Sequence, residues 1–333
     1  MTRPTLHDFV AARIADGKLS EDDVVTLRRY IYVDMTVSLE EGQALFRLVN
    51  AGLDCHEDWY ELFPEAIGDI LVHQARPEGY VSEENAHWLI GQITADGYIC
   101  TKTELDAVLH VLEKARKVPG FLQQFALKAV ADSVITGKGA TRSGAELVPG
   151  VIADGEVELL RRVLYAGSGS RGMAVSREEA EVLFDLNDAT REAENAPAWS
   201  ELFAKAVGNY VMAMSGFTPP PRKVALARED WLNQPGGFEG GLRGFFKRMM
   251  SGGAGGIHDA FADGPDPSAA RSEAMRAEIA ANEIVTAEEA TWLVERIGRD
   301  GVLHDNERAL LRFIRQESPD IHESLRPLLD KAG

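Results

Sequence analysis

Val37-Ser38-Leu39-Glu40-Glu41-Gly42-Gln43-Ala44-Leu45-Phe46-Arg47-Leu48-Val49-Asn50-Ala51 returns as Val175-Ser176-Arg177-Glu178-Glu179-Ala180-Glu181-Val182-Leu183-Phe184-Asp185-Leu186-Asn187-Asp188-Ala189, with eight of fifteen positions identical. Each stretch opens on a valine and a serine, and the serine hydroxyl suits an N-cap because it can accept from an orphan N–H of the first turn. Glu41 and Glu179 stand three residues on and complete a capping box. Apolar residues such as Leu45, Leu48 and Val49 then recur at three and four, the period of a helix face. The same start, Val-Ser/Thr-x-Glu, returns at Val81 and Val285, with Ser82 and Thr286 as caps.

Working outward, the similarity continues. Val24, Leu27-Arg28-Arg29 and Tyr32 match Val157, Leu160-Arg161-Arg162 and Tyr165. Trp59, Glu61-Leu62-Phe63, Ala66 and Gly68 match Trp199, Glu201-Leu202-Phe203, Ala206 and Gly208. Val81, Glu84, Ala86, Trp88-Leu89, Ile93 and Asp96-Gly97 match Val285, Glu288, Ala290, Trp292-Leu293, Ile297 and Asp300-Gly301. The order is the same in both halves, the signature of a repeated architecture. It predicts two copies of one unit, 1–137 and 148–333, joined by a small polar linker at 138–147. The offset between copies is 133, 138, 140 and then 204 residues, so the second copy carries an insertion of 64 residues at about 215–280.

Helical spacing runs through nearly the whole chain, as in Leu62, Ala66, Ile67, Ile70, Leu71 and in Leu105, Val108, Leu109, Leu112. No stretch alternates with period two over the length of a strand, and the breaks fall at Gly and Pro. The expected fold is all-α, with six or seven helices per copy. The recurring Trp59, Trp199, Trp88 and Trp292 are expected in the cores.

The 333 residues carry 35 basic and 53 acidic side chains, a formal net charge of −18. That balance argues against nucleic acid, which needs a basic footprint to displace counterions. Two cysteines, Cys55 and Cys100, exclude a disulfide scaffold and a Cys-rich zinc site. The start has no apolar h-region and no run approaches a membrane span, so the expectation is a cytoplasmic protein, or one peripheral to a membrane or larger complex. No HExxH, GxSxG, P-loop or strand-bound GxGxxG occurs, and the eight histidines show no zinc-finger spacing. A catalytic function has no positive support, and no cofactor is required.

Three helix junctions share Asp-Gly, one residue, an apolar residue and then an acid: Asp16-Gly17 with Asp23, Asp96-Gly97 with Glu104, and Asp300-Gly301 with Glu307. At the fourth equivalent place Pro149-Gly150 stands with Glu156, without the first acid. Ala15-Asp16-Gly17 and Ala95-Asp96-Gly97 resemble the turn of the tellurite-resistance TerB-like helical domains. That resemblance implies all-helical domains linked to stress responses, some of which bind metal through such acids. A divalent-metal reading would use Asp16, Asp23, Asp96, Glu104, Asp300 and Glu307. Fitted to an EF-hand, however, the loops lack oxygens at their first positions, where Arg296 and Gly298 or Ala12 and Ile14 would fall. The capping reading uses Gly to end one helix in the left-handed conformation and the acids to start the next.

The insertion differs from the rest. Pro219-Pro220-Pro221 opens it, and residues 236–256 hold nine glycines with a local charge of +2. Phe238, Leu242, Phe245, Phe246, Met249 and Met250 share one helical face, with Arg243, Lys247 and Arg248 on others. Glycine costs about 1 kcal/mol per interior helical position relative to alanine, so this helix needs a surface to form on. That surface is its own domain, a protein partner or an anionic membrane. Three basic residues are few for membrane attachment, so a protein partner is the stronger expectation.

Overall fold

The computed structural model describes residues 5–33, 36–96, 101–138, 148–166, 175–213, 284–285, 287–297, 299, 302–318, 320–321 and 323–332. The fold is all-α; the strands among these residues are two-residue pieces in two parallel pairs. The chain divides into two compact units, residues 1–170 with 188–196 and residues 171–187 with 197–333.

In the first unit, α1 (Leu6–Asp16), β1 (Lys18–Leu19), α2 (Glu21–Ile31) and α3 (Leu39–Asn50) are followed by β2 (Asp54–Cys55) and α4 (Trp59–Gly68). A π turn (Asp69–His73) extends α4, and α5 (Glu83–Ile93), a 3-10 turn (Thr94–Asp96), α6 (Lys102–Lys114), α7 (Gly120–Thr136) and α8 (Asp154–Ala166) complete the unit. β1 and β2 pair in parallel, Lys18 with Asp54 and Leu19 with Cys55. The second unit is built on α9 (Arg177–Thr190), α10 (Pro197–Ala213), β3 (Ile284–Val285), α11 (Ala287–Ile297), α12 (Asp305–Glu317), β4 (Asp320–Ile321), a 3-10 turn (Glu323–Leu325) and α13 (Arg326–Ala332). β3 and β4 pair in parallel, Ile284 with Asp320 and Val285 with Ile321.

The helices start where the capping residues stand. The Ser38 N–H donates to the Glu41 carboxylate at 2.8 Å, and the Glu41 N–H returns to Ser38 Oγ at 3.2 Å. Ser176 and Glu179 repeat both bonds at 2.8 and 3.2 Å. Ser82 caps α5 through the Asn85 N–H at 3.1 Å. Each such cap is worth about 1 kcal/mol against alanine.

The two cores use the same rings in the same geometry. Phe46 meets Phe63 edge-on at 5.0 Å and 85°, and Phe184 meets Phe203 at 5.1 Å and 89°. Trp88 stands edge-on to Phe46 at 5.9 Å and Trp292 to Phe184 at 5.6 Å, both at 79°. Offset and edge-to-face pairs are the arrangements the ring quadrupole favours. Trp59, Trp199 and Trp292 are buried, whereas Trp88 is half-buried and departs from the expectation of four core tryptophans.

α8, which the sequence repeat assigns to the second copy, packs on α6 and α7 in the first unit. Leu160 and Val163 are fully buried, Gln123 donates to the Leu164 carbonyl at 3.3 Å, and Arg162 pairs with Glu113 at 2.9 Å. Most of the 138–147 linker lies outside the described residues.

Candidate functional site

At the first Asp-Gly junction Gly17 ends α1 with φ +77°, the left-handed conformation that costs glycine nothing. Its chain then runs into β1, and Ser20 caps α2 with Asp23: the Ser20 N–H donates to Asp23 at 3.0 Å and its hydroxyl at 2.6 Å. Arg13 lies against both acids, 3.1 Å from Asp16 and 3.4 Å from Asp23. Burial works to raise the Asp23 carboxyl, but its bonds to Ser20 and the Arg13 guanidinium outweigh it and hold the group below its ordinary range. The Arg13 guanidinium therefore occupies the side of both carboxylates that a divalent cation would share. Glu104 is likewise engaged, accepting from the Thr101 N–H at 3.0 Å and hydroxyl at 2.9 Å, and Glu307 accepts from the His304 N–H at 2.8 Å. These three acids are helix caps. Asp300 and the side chain of Asp96 lie outside the described residues. Among the described residues, no three His, Cys, Asp or Glu side chains come together to hold a metal ion.

The fourth junction behaves like the first. Gly150 takes φ +76°, the Ala196 N–H donates to the Ile152 carbonyl at 2.7 Å, and the Ala153 N–H donates to Glu156 at 3.1 Å. At the first junction the corresponding bonds are His56 N–H to the Leu19 carbonyl at 2.8 Å and Ser20 to Asp23.

The partner-binding residues expected from sequence, Phe238 through Met250, fall in 214–283, outside the described residues. The described chain on either side is informative. α10 leads into this segment, and β3, which follows it, packs against α10. Tyr210 near the end of α10 lies edge-on to Trp292 of α11 at 4.9 Å and 83°. The chain therefore rejoins the second unit at a strand that packs on α10, the helix from which it departs. No helix among the described residues is long and apolar enough to cross a membrane.

Sequence reading missed a polar cluster at the π turn. Tyr32, the C-cap residue of α2, donates its hydroxyl to Asp69 at 2.6 Å. Burial, with the Asp69 carboxylate beside it, raises the Tyr32 phenol far above its ordinary range. Gln74 closes the turn through its N–H to the Asp69 carbonyl at 2.9 Å, and its side chain accepts from the Val37 N–H at 2.8 Å. His110 of α6 covers Gly68 so closely that a Cβ there would fall 2.6 Å from the imidazole Cδ2. The cluster joins α2, α4 and α6 through polar groups. Its chemistry is hydrogen bonding.

No family model, curated protein or solved structure matches the chain.

Proposed function

We propose that this chain is a non-enzymatic, duplicated all-α interaction protein of the TerB-like kind, which docks a protein partner through the inserted amphipathic segment. The carrying observation is the placement of that segment, which departs from α10 and returns at β3 against the same helix. An excursion that departs from a helix and returns to a strand packed on it is tolerated at small cost to the fold, because loop closure grows only slowly with length. Its sequence then has another use than core building, and Phe238, Leu242, Arg243, Phe245, Phe246, Lys247, Arg248, Met249 and Met250 combine apolar and basic contacts suited to a partner groove. The duplication is supported by the two equivalent aromatic clusters and by the matching junctions at Gly17 and Gly150. The setting proposed is cytoplasmic and, following the resemblance, stress-related.

The test is affinity capture from lysate with the full chain and with residues 236–256 deleted. Loss of specific protein partners on deletion is the expected result; an unchanged set sinks the proposal. Binding of the intact chain to anionic vesicles, lost with the same deletion and with no protein captured, would replace the protein partner with a lipid one.

A further inference from the structure

α4 gives way to the π turn at Asp69, and the turn is held from outside the helix. The Tyr32 hydroxyl grips Asp69 at its start, and the Val37 N–H grips the Gln74 side chain just past its end. Both contacts come from the stretch joining α2 to α3. π turns are uncommon and occur frequently at functional sites. The ring of His110 lies on Gly68, the residue immediately before this one. In the second unit, α10 runs on as an α-helix through the equivalent position, and Gly208 is covered by the ring of Phe313, which cannot ionise. The histidine is thus an ionisable ring at a site where a permanently apolar ring also fits.

We propose that His110 is a proton-operated latch on the π turn, packed on Gly68 when neutral and freeing the Tyr32–Asp69 clasp when protonated. The charges around it set the response. Glu65 and Asp69 come from α4 and the π turn, and Glu113 and Lys114 from its own helix. Burial holds the imidazole below its ordinary range, Lys114 adds to that, and Glu113, Asp69 and Glu65 oppose it. Two of these acids are already engaged: Glu65 pairs with Arg28 of α2 at 3.1 Å, and Glu113 with Arg162 of α8 at 2.9 Å. On α7 the charged residues, Lys128 and Asp132, are exposed. Asp69 is the acid whose partner is the neutral Tyr32 hydroxyl, so it is the one a new imidazolium competes for. A half-buried cation is disfavoured against Gly68, and pairing with Asp69 offsets that cost and weakens the clasp.

The experiment is amide NMR of the full chain between pH 5 and 8, following Val37 and Gln74. Both resonances are expected to move with the His110 ring, at one midpoint below about 6.5, and to stay flat in His110→Phe. Flat amides in the parent protein overturn the latch. So does a titration that survives His110→Phe, the result if His73, exposed at the end of the π turn, were responsible. Should His110→Phe fail to fold, His110→Gln removes the same proton and is read the same way.

Discussion

Gly208 of α10 lies directly against the ring of Phe313 of α12: a Cβ on Gly208 would fall 2.5 Å from both Cδ1 and Cε1. The Phe313 ring fills the space between the two helices here, and Phe313 is itself buried. Helix propensity alone favours alanine over glycine by about 1 kcal/mol. The overlap outweighs it, because forcing a methyl into a filled core costs about 1–3 kcal/mol. Gly208→Ala is therefore expected to lower stability in urea unfolding. Adding Phe313→Leu should recover part of the loss, a coupling that a double-mutant cycle reads directly.

Arg296 of α11 is the second point on which the second unit depends. Its side chain is 2% exposed, with Glu181 at 3.1 Å and Asp185 on the other side, one turn apart on α9. Its guanidinium also lies over the Phe184 ring at 5.1 Å, and the neighbouring Trp292 indole donates to Glu181 at 2.6 Å. Arg296→Ala should lower stability chiefly by removing the stem that packs on the ring, since Glu181 and Asp185 stay solvated and their pairing is worth about 1 kcal/mol at most. Arg296→Met keeps the stem and should cost less. Equal losses in urea unfolding would show that charge alone is at work.

What could be read from the sequence was local. Ser20 with Asp23, Ser38 with Glu41 and Thr101 with Glu104 are caps completed within three residues, and Gly17 carries its own signal for a left-handed turn. The π turn is different. Ile70 and Leu71 continue the apolar spacing of α4, so the added residue leaves no mark in the period, and the contacts that fix it come from Tyr32 and Val37, each 37 residues from its partner. Arg296 finds Asp185 across a gap of 111 residues, and nothing in the composition of α11 names α9 as its neighbour. The apolar face of α8 predicts that it is covered, but not that α6 and α7 cover it.

Glu179 makes the second unit respond to pH in the sense opposite to most carboxylates. It is 4% exposed, and burial pushes its carboxyl up to about 7 from the ordinary 4.5, against the opposing bonds to Ser176. The folded protein then holds a proton that the unfolded chain releases. The contribution to stability is greatest below about pH 4.5, falls as pH rises to about 7, and is constant above, a span of roughly 3 kcal/mol at most. Glu179→Gln keeps an acceptor for the Ser176 N–H and has nothing to titrate. The variant should therefore be more stable than the parent at pH 8 and lose this slope between pH 5 and 7, as measured by urea unfolding at each pH.

α10 and β3 pack together, so exchanging the segment between them for a linker tests whether that segment builds the fold. Replacing 214–283 with a few Gly and Ser residues is expected to leave the cooperative thermal transition and the near-ultraviolet signal of the Trp292–Phe184–Phe203 cluster in place. Each of those rings stands on a helix outside the removed stretch, and the edge-on contacts at 5.6 and 5.1 Å join α9, α10 and α11 directly. Shortening the connection lowers its closure cost by about 0.6 kcal/mol for each halving, which favours the folded unit. A collapse of the near-ultraviolet signal would mean that the removed residues help to build the core, and would make their amphipathic face a packing surface of this unit. A retained signal together with lost partner capture would separate folding from docking.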